Sequence, residues 1–385
     1  MADMIDVREF VAGDAERLID EWGRIALIAA PEGAESRRAE LIGALARNCG
    51  ADGVEIDRAG NVVTWLDGEG GDGETLTFLA TMDDLGSVAA HRLATDLLMR
   101  DGDRLVGPCV ETTSSDATAL SILRFAAARA RPWRRLFVVF VLGEETGLTG
   151  VRALVADRGA ELGSVVDLMG GIGTVSWNAI GFAGVEVTFV GTPRHSLYGG
   201  VSEVPEAMSR FVHALHSDVP PCHSDTVTVR RVNRLRAGTV FNHSPETGLV
   251  AVDIRSTDPD ALASLDEATR RIAQHIASDM GLEARIADGE RQPAVTLSGG
   301  REHRLVRALE TAIRETGREP VLRPWSSSNI NVVYAAGLEG IVHDGTFRGG
   351  GRGTAMEWAD VPGVLDGLVA DCRMLQLLTG PASAS

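Results

Sequence analysis

Continuous apolar runs alternate with segments of helical spacing through the first half of the chain. The runs Leu76-Thr77-Phe78-Leu79-Ala80, Leu136-Phe137-Val138-Val139-Phe140-Val141-Leu142 and Ser164-Val165-Val166 lack polar alternation. That pattern predicts strands buried on both faces, as in a parallel sheet. Leu18, Ile19, Trp22, Ile25 and Ile28, then Leu41, Ile42 and Leu45, recur at helical spacing and predict two helices between Val7 and Asn48. Further helices are expected from Ala117 and over Val151–Arg158. Strands alternating with helices predict an α/β domain with a largely parallel sheet.

The texture changes near Gly181. From there the order strand, helix, strand, strand, helix, strand predicts a small α+β insert over residues 182–289. The α/β pattern resumes near 290, so the larger domain is expected to be discontinuous, comprising 1–181 and 290–385, with the insert as a lid. Composition narrows the function. A net charge of −17 argues against nucleic acid or an anionic membrane as partner. No apolar run approaches a membrane span of roughly 18–20 residues. The N-terminus lacks a basic, then apolar, leader, and Cys49, Cys109, Cys222 and Cys372 show no CxxC spacing, so a cytoplasmic protein is expected. All 37 basic residues are arginine, which removes Schiff-base and lysine-base chemistry.

The most buried run ends at two adjacent acids, Glu144 and Glu145. Ligands of open α/β sheets bind at the carboxyl ends of strands. Two carboxylates there need a compensating cation or a shared proton, unless they form an exposed pair at a helix N-terminus.

Six segments occur in an order that resembles the dinuclear zinc aminoacylase and carboxypeptidase family, which includes peptidase T and acetylornithine deacetylase. They are GEETG around Glu144, GTPRHS around His195, AGTVFNHSP around Asn242, VDIRSTDPDAL around Arg255, WSSSNIN around Asn329 and GGGRGTAMEW before Glu357. The resemblance spans nearly the whole chain. It implies a zinc-peptidase-type α/β domain with an inserted lid and dimerisation domain, hence a homodimer. It also implies a metal site built from a His two residues before an Asp, a bridging Asp, the second Glu of the pair, another Asp and a late His, with the first Glu as general base.

Carried over by position, only Glu145 is kept. The other ligand positions fall on Thr81, Thr112, Leu168 and Gly353, although Asp83 stands two residues after Thr81. Asp116 and Asp167 are the nearest replacements, at shifts of four residues and one; Asp116 is alternatively a helix N-cap before Ala117. Without metals, Asp83, Glu144 and Glu145 would share a proton and form an acid/base set, with Glu144 as base and Glu145 or Asp83 as acid. The resemblance implies that His195 reaches a neighbouring subunit's site and that Asn242 and Arg255 lie near the substrate carboxylate. Thr81, Thr112, Asn331 and His343 complete the expected substrate contacts. The expected protein is thus a metal-independent, cofactor-free enzyme performing cyclisation, isomerisation or elimination on an amino-acid or peptide-like molecule. The alternatives are a zinc amidohydrolase with displaced ligands and a non-catalytic ligand-binding protein.

Overall fold

The computed structural model describes residues 2–68, 70, 75–84, 98–129, 134–200, 202–216, 227–345 and 349–379. The chain divides into two compact units, one of 1–177 with 296–385 and one of 178–295. The first is built on an eight-stranded sheet. Its strands are β1 (Gly53–Ile56), β2 (Val62–Leu66), β3 (Leu76–Thr81), β4 (Leu136–Val141), β5 (Ser164–Leu168), β6 (Gly173–Ser176), β7 (Val321–Leu322) and β8 (Gly340–Gly345). They lie in the order β1-β2-β4-β3-β5-β8-β6-β7. The central strands β4, β3, β5 and β8 run parallel, while β1–β2, β2–β4 and β8–β6 are antiparallel pairs.

The apolar runs explain the centre of this sheet. All six residues of β4 are at most 1% exposed, and each large side chain so buried contributes roughly 1.5–3 kcal/mol. The helices of this unit among the described residues are α1 (Ala2–Ala26), α2 (Ser36–Arg47), α3 (Val110–Arg129), α4 (Thr149–Leu162), α5 (Arg304–Glu315), α6 (Ile330–Ala335) and α7 (Val361–Thr379). Helices α1, α3, α5 and α7 pack on one another, while α4 packs with α6. The carboxyl ends of β3, β4 and β5 therefore open side by side at one rim of the sheet, with α3 beginning beside them.

Helix α3 starts at Val110, seven residues before the expected Ala117. Its first turns carry Thr112, Thr113, Ser114 and Ser115, which have weak helical preference. Thr113, Ser114 and Ser115 donate their hydroxyls to the carbonyls of Cys109, Glu111 and Thr112 at 2.7, 2.6 and 2.8 Å. The N-terminus is capped from far away, with the Glu111 amide donating to Glu357 Oε1 at 2.7 Å. Local sequence contains no signal of that cap. Asp116 is consequently inside the helix and is not its N-cap.

The second unit is an antiparallel sheet with strand order 228–237, 247–256, 181–190 and 283–292. Helices Glu203–Leu215 and Pro259–Asp279 pack on it around Val187, Phe189, Phe211 and Val250. Asp258 caps the second of these by accepting from the amides of Asp260 and Ala261 at 2.9 and 3.3 Å. Among the described residues, no helix is long and apolar enough to cross a membrane.

Candidate active site

The site begins at the turn after β4. Gly143 has φ +65°, and a Cβ there would lie 2.1 Å from Thr149 Oγ1, so the turn requires glycine. Asn61 braces it by accepting from the Leu142 amide at 3.2 Å and donating to the Gly150 carbonyl at 3.0 Å. Asp83, just past the end of β3, accepts from the Glu144 amide at 2.9 Å and the Glu145 amide at 3.1 Å. One buried carboxylate thereby fixes both acids of the pair. Next to it, Asp84 pairs with buried Arg38 at 2.7 Å and accepts from the Ala30 amide at 2.8 Å.

The side chains of Glu144 and Glu145 turn into a cavity of about 20 Å³, enough for one water. Thr81, Glu111, Thr112, Ser115, Leu168, Met169 and Arg352 complete its wall. Thr81 Oγ1 accepts from Asn329 Nδ2 at 3.1 Å. Arg352 pairs with Glu111 at 2.9 Å through Nε and with Glu145 at 3.4 Å through Nη2. Glu357, behind the wall, holds both the Glu111 amide and, at 3.0 Å, the Gly353 amide.

These carboxyls crowd one another in low dielectric. Burial, then Glu145, Asp167 and Asp83, push Glu144 up to about 8. Burial pushes Glu111 up to about 7, against the pull of Arg352. Glu145 is also raised by burial, and Arg352 opposes that shift. Asp83 is raised by burial, partly offset by the two amides it accepts from.

Of the residues singled out by sequence, Glu144, Glu145, Thr81 and Thr112 share the cavity wall. Asp83 does not: it is 1% exposed and its two oxygens are engaged by the amides behind the wall, so it positions the pair. His343 lies in the core, its Nδ1 2.6 Å from Asp371 Oδ1 on α7, and is not a wall residue. Burial disfavours its charge, but Asp371 outweighs this and raises its pKa. Asn331 is equally buried and accepts from the Ser328 amide at 3.2 Å, fixing the entry to α6. It is Asn329 of that loop that reaches Thr81. In the second unit, Arg255 pairs with Asp253 at 3.1 Å and covers the Phe182 ring at 4.9 Å, a structural engagement that a clamp on substrate would have to break. His195 is half-buried, accepting from the Leu197 amide at 3.2 Å with Asn242 Nδ2 3.3 Å from its Nε2. Glu111, Ser115, Asn329, Arg352 and Glu357 were not singled out as site groups; only their spacing from the resembling motifs could have pointed to the last three.

Among the described residues, the donor set does not fit a two-metal site. Leu168 and Gly353 offer no donor, and the hydroxyl of Thr81 is occupied by Asn329. Asp167 cannot stand in for Leu168, because successive strand residues face opposite ways. It accepts from Ser328 Oγ at 2.5 Å and the Ile330 amide at 3.3 Å, on the α6 side; burial raises it to about 6 against the pull of these bonds. Asp116 is fully buried beneath the wall, neither oxygen has a hydrogen-bond partner among the described residues, and burial raises it well above the ordinary range. Among the described residues, no group of three His, Cys, Asp or Glu side chains is placed to hold a metal ion.

No family model and no curated protein matches the sequence. Solved structures match in fold. The aminopeptidase PepT of Bacillus cereus aligns at a TM-score of 0.77 and 18% identity, covering 94% of this chain and 98% of that one. A tripeptidase of Staphylococcus aureus gives 0.78 at 15% identity, covering 95% and 99%. A dinuclear metal-binding peptidase of the M20 family from Bacillus subtilis gives 0.67 at 16%, covering 96% and 99%. The architecture is therefore that of these peptidases, over essentially the whole length of each.

Proposed function

We propose that this chain is an enzyme that moves protons between Glu144 and Glu145 on an amino-acid or peptide-like small molecule, without a bound metal ion. What supports the reading is the unequal setting of two neighbouring acids on one cavity wall. Glu144 is half-buried among negative groups and raised to about 8, so it holds its proton near neutral pH. Glu145 faces Arg352, whose charge opposes the rise that burial causes there and favours its ionised form. One atom of a substrate bound against them receives a proton from Glu144 while another surrenders one to Glu145, the paired transfer that isomerisation, elimination or ring closure requires. The resting roles are then the reverse of those expected from sequence: Glu144 is the acid of the first step and the base of the return step. Thr81 and Thr112 line the same wall.

We extend the reading to a homodimer joined through the second unit, because Leu197, Tyr198 and Phe241 are exposed apolar side chains on the loops around His195. Light scattering at micromolar concentration checks it; a monomer with full activity rejects it. The catalytic reading is tested by elemental analysis and by turnover of peptides and acylated amino acids with chelator present. Turnover that survives chelator and is lost in Glu144→Gln supports it. Turnover lost with chelator and restored by zinc establishes the displaced-ligand hydrolase instead, and ligand binding without turnover establishes a binding protein.

A further inference from the structure

The acid-rich wall carries a cation of its own. Glu111, Glu144 and Glu145 face the cavity, with Asp83 and Glu357 directly behind. Like charges at this spacing need an opposite charge among them. The guanidinium of Arg352 spans two of the acids, from the first turn of α3 to the turn after β4, at 2.9 and 3.4 Å. A planar fork with donors on two edges suits two carboxylates on separate elements.

The backbone is shaped to deliver that side chain. Arg352 sits between Gly351 at φ +70° and Gly353 at φ +77°, both left-handed and both favouring glycine. The loop closes on itself through the Thr354 amide and hydroxyl, which donate to the Gly351 carbonyl at 3.0 and 2.7 Å. Glu357 anchors it through the Gly353 amide. The position at which the resembling family carries its late histidine is thus a left-handed glycine, where a histidine would be strained.

We propose that Arg352 is a built-in counter-cation, occupying in charge the place that a divalent ion would take and keeping such ions out. The inference rests on the metal-free reading above. It follows that removing Arg352 leaves the carboxyls of Glu111, Glu144 and Glu145 around an uncompensated cavity, able to close on a cation from an arrangement that does not hold one now. That all-oxygen set suits Mn²⁺ or Ca²⁺ better than zinc.

The experiment compares the full-length wild type with Arg352→Ala, Arg352→Gln and Arg352→Lys. Mn²⁺ and Ca²⁺ binding is measured by calorimetry, and thermal unfolding is followed with and without each ion and with ethylguanidinium. Wild type and Arg352→Lys are expected to show no saturable binding. Arg352→Ala is expected to gain binding at least about tenfold tighter than wild type and to be stabilised by either the ion or ethylguanidinium, as mass action requires. Ethylurea, neutral and of similar shape, is expected to do nothing. Arg352→Gln, which keeps most of the bulk, serves if the alanine variant does not fold. A folded Ala or Gln variant that gains neither cation binding nor rescue overturns the inference and reduces Arg352 to an ordinary ion pair. Tight binding of two zinc ions by the wild type overturns the metal-free reading itself, a separate and distinguishable result.

Discussion

Asp83 gives the clearest physical prediction, because everything it does is visible in two hydrogen bonds. Replacing it with Ala leaves the Glu144 and Glu145 amides without their acceptor. A hydrogen bond to a charged group is worth about 1.5–3 kcal/mol net. Both amides sit near the cavity, where water partly replaces the lost acceptor, so the pair should lose about 2–4 kcal/mol rather than the full sum. The burial that raises the Asp83 pKa works in the same direction, since that desolvation is relieved in the variant. The loss is local to the turn after β4, and amide exchange read by mass spectrometry on the peptide spanning Leu142–Thr149 reports it directly. At 1.4 kcal/mol per tenfold, exchange should accelerate roughly 30- to 1,000-fold, while the peptide covering Val62–Leu66 should be nearly unchanged. Asp83→Asn keeps one acceptor and should fall between wild type and Ala. Exchange within about threefold of wild type in Asp83→Ala, below what even one lost bond allows, would show that Asp83 does not hold the pair.

Glu144→Gln should lower turnover by about 10²–10⁴-fold while substrate affinity changes much less, measured as a split between kcat and KM. Glu144 and Glu111 are raised in the folded state, so the native protein binds more protons than the unfolded chain from about pH 4.5 up to about 8 and 7 respectively. Stability should therefore fall as pH rises through that window, and Glu144→Gln should flatten the slope of Tm against pH between 5 and 8. Asp116→Asn should be tolerated within about 1 kcal/mol in chemical unfolding, because burial without hydrogen bonds already disfavours the charged carboxylate; a metal ligand would not tolerate it.

Periodicity revealed the layers of the fold, because β4 and its neighbours are buried on both faces and their apolar runs admit no other reading. It also located Glu144 and Glu145, since strand ends are where such a sheet binds ligands. The start of α3 was not legible: its cap is supplied by Glu357, and no local residue announces it. His343 looked like site chemistry because it follows a strand at the cavity rim, yet its side chain faces α7 and finds Asp371 there. Leu168 and Asp167 show how finely the period of two discriminates, since one step along β5 separates a cavity wall from a bond to Ser328. Arg352 was invisible for a different reason: an arginine in a glycine-rich loop has no pattern, and only its two partners give it meaning.

The cap on α3 has a temporal consequence. The Glu111 amide and the Glu357 carboxylate are 246 residues apart in the chain, and the whole second unit is synthesised between them. At ribosomal rates of about 5–20 residues per second, the amide waits roughly 12–50 s for its acceptor. During that interval the nascent chain holds β3, β4 and the paired glutamates but neither Glu357 nor Arg352. The half-built cleft is then a cluster of uncompensated acids, open to any cation in the cell until the last segment of the chain arrives to close it.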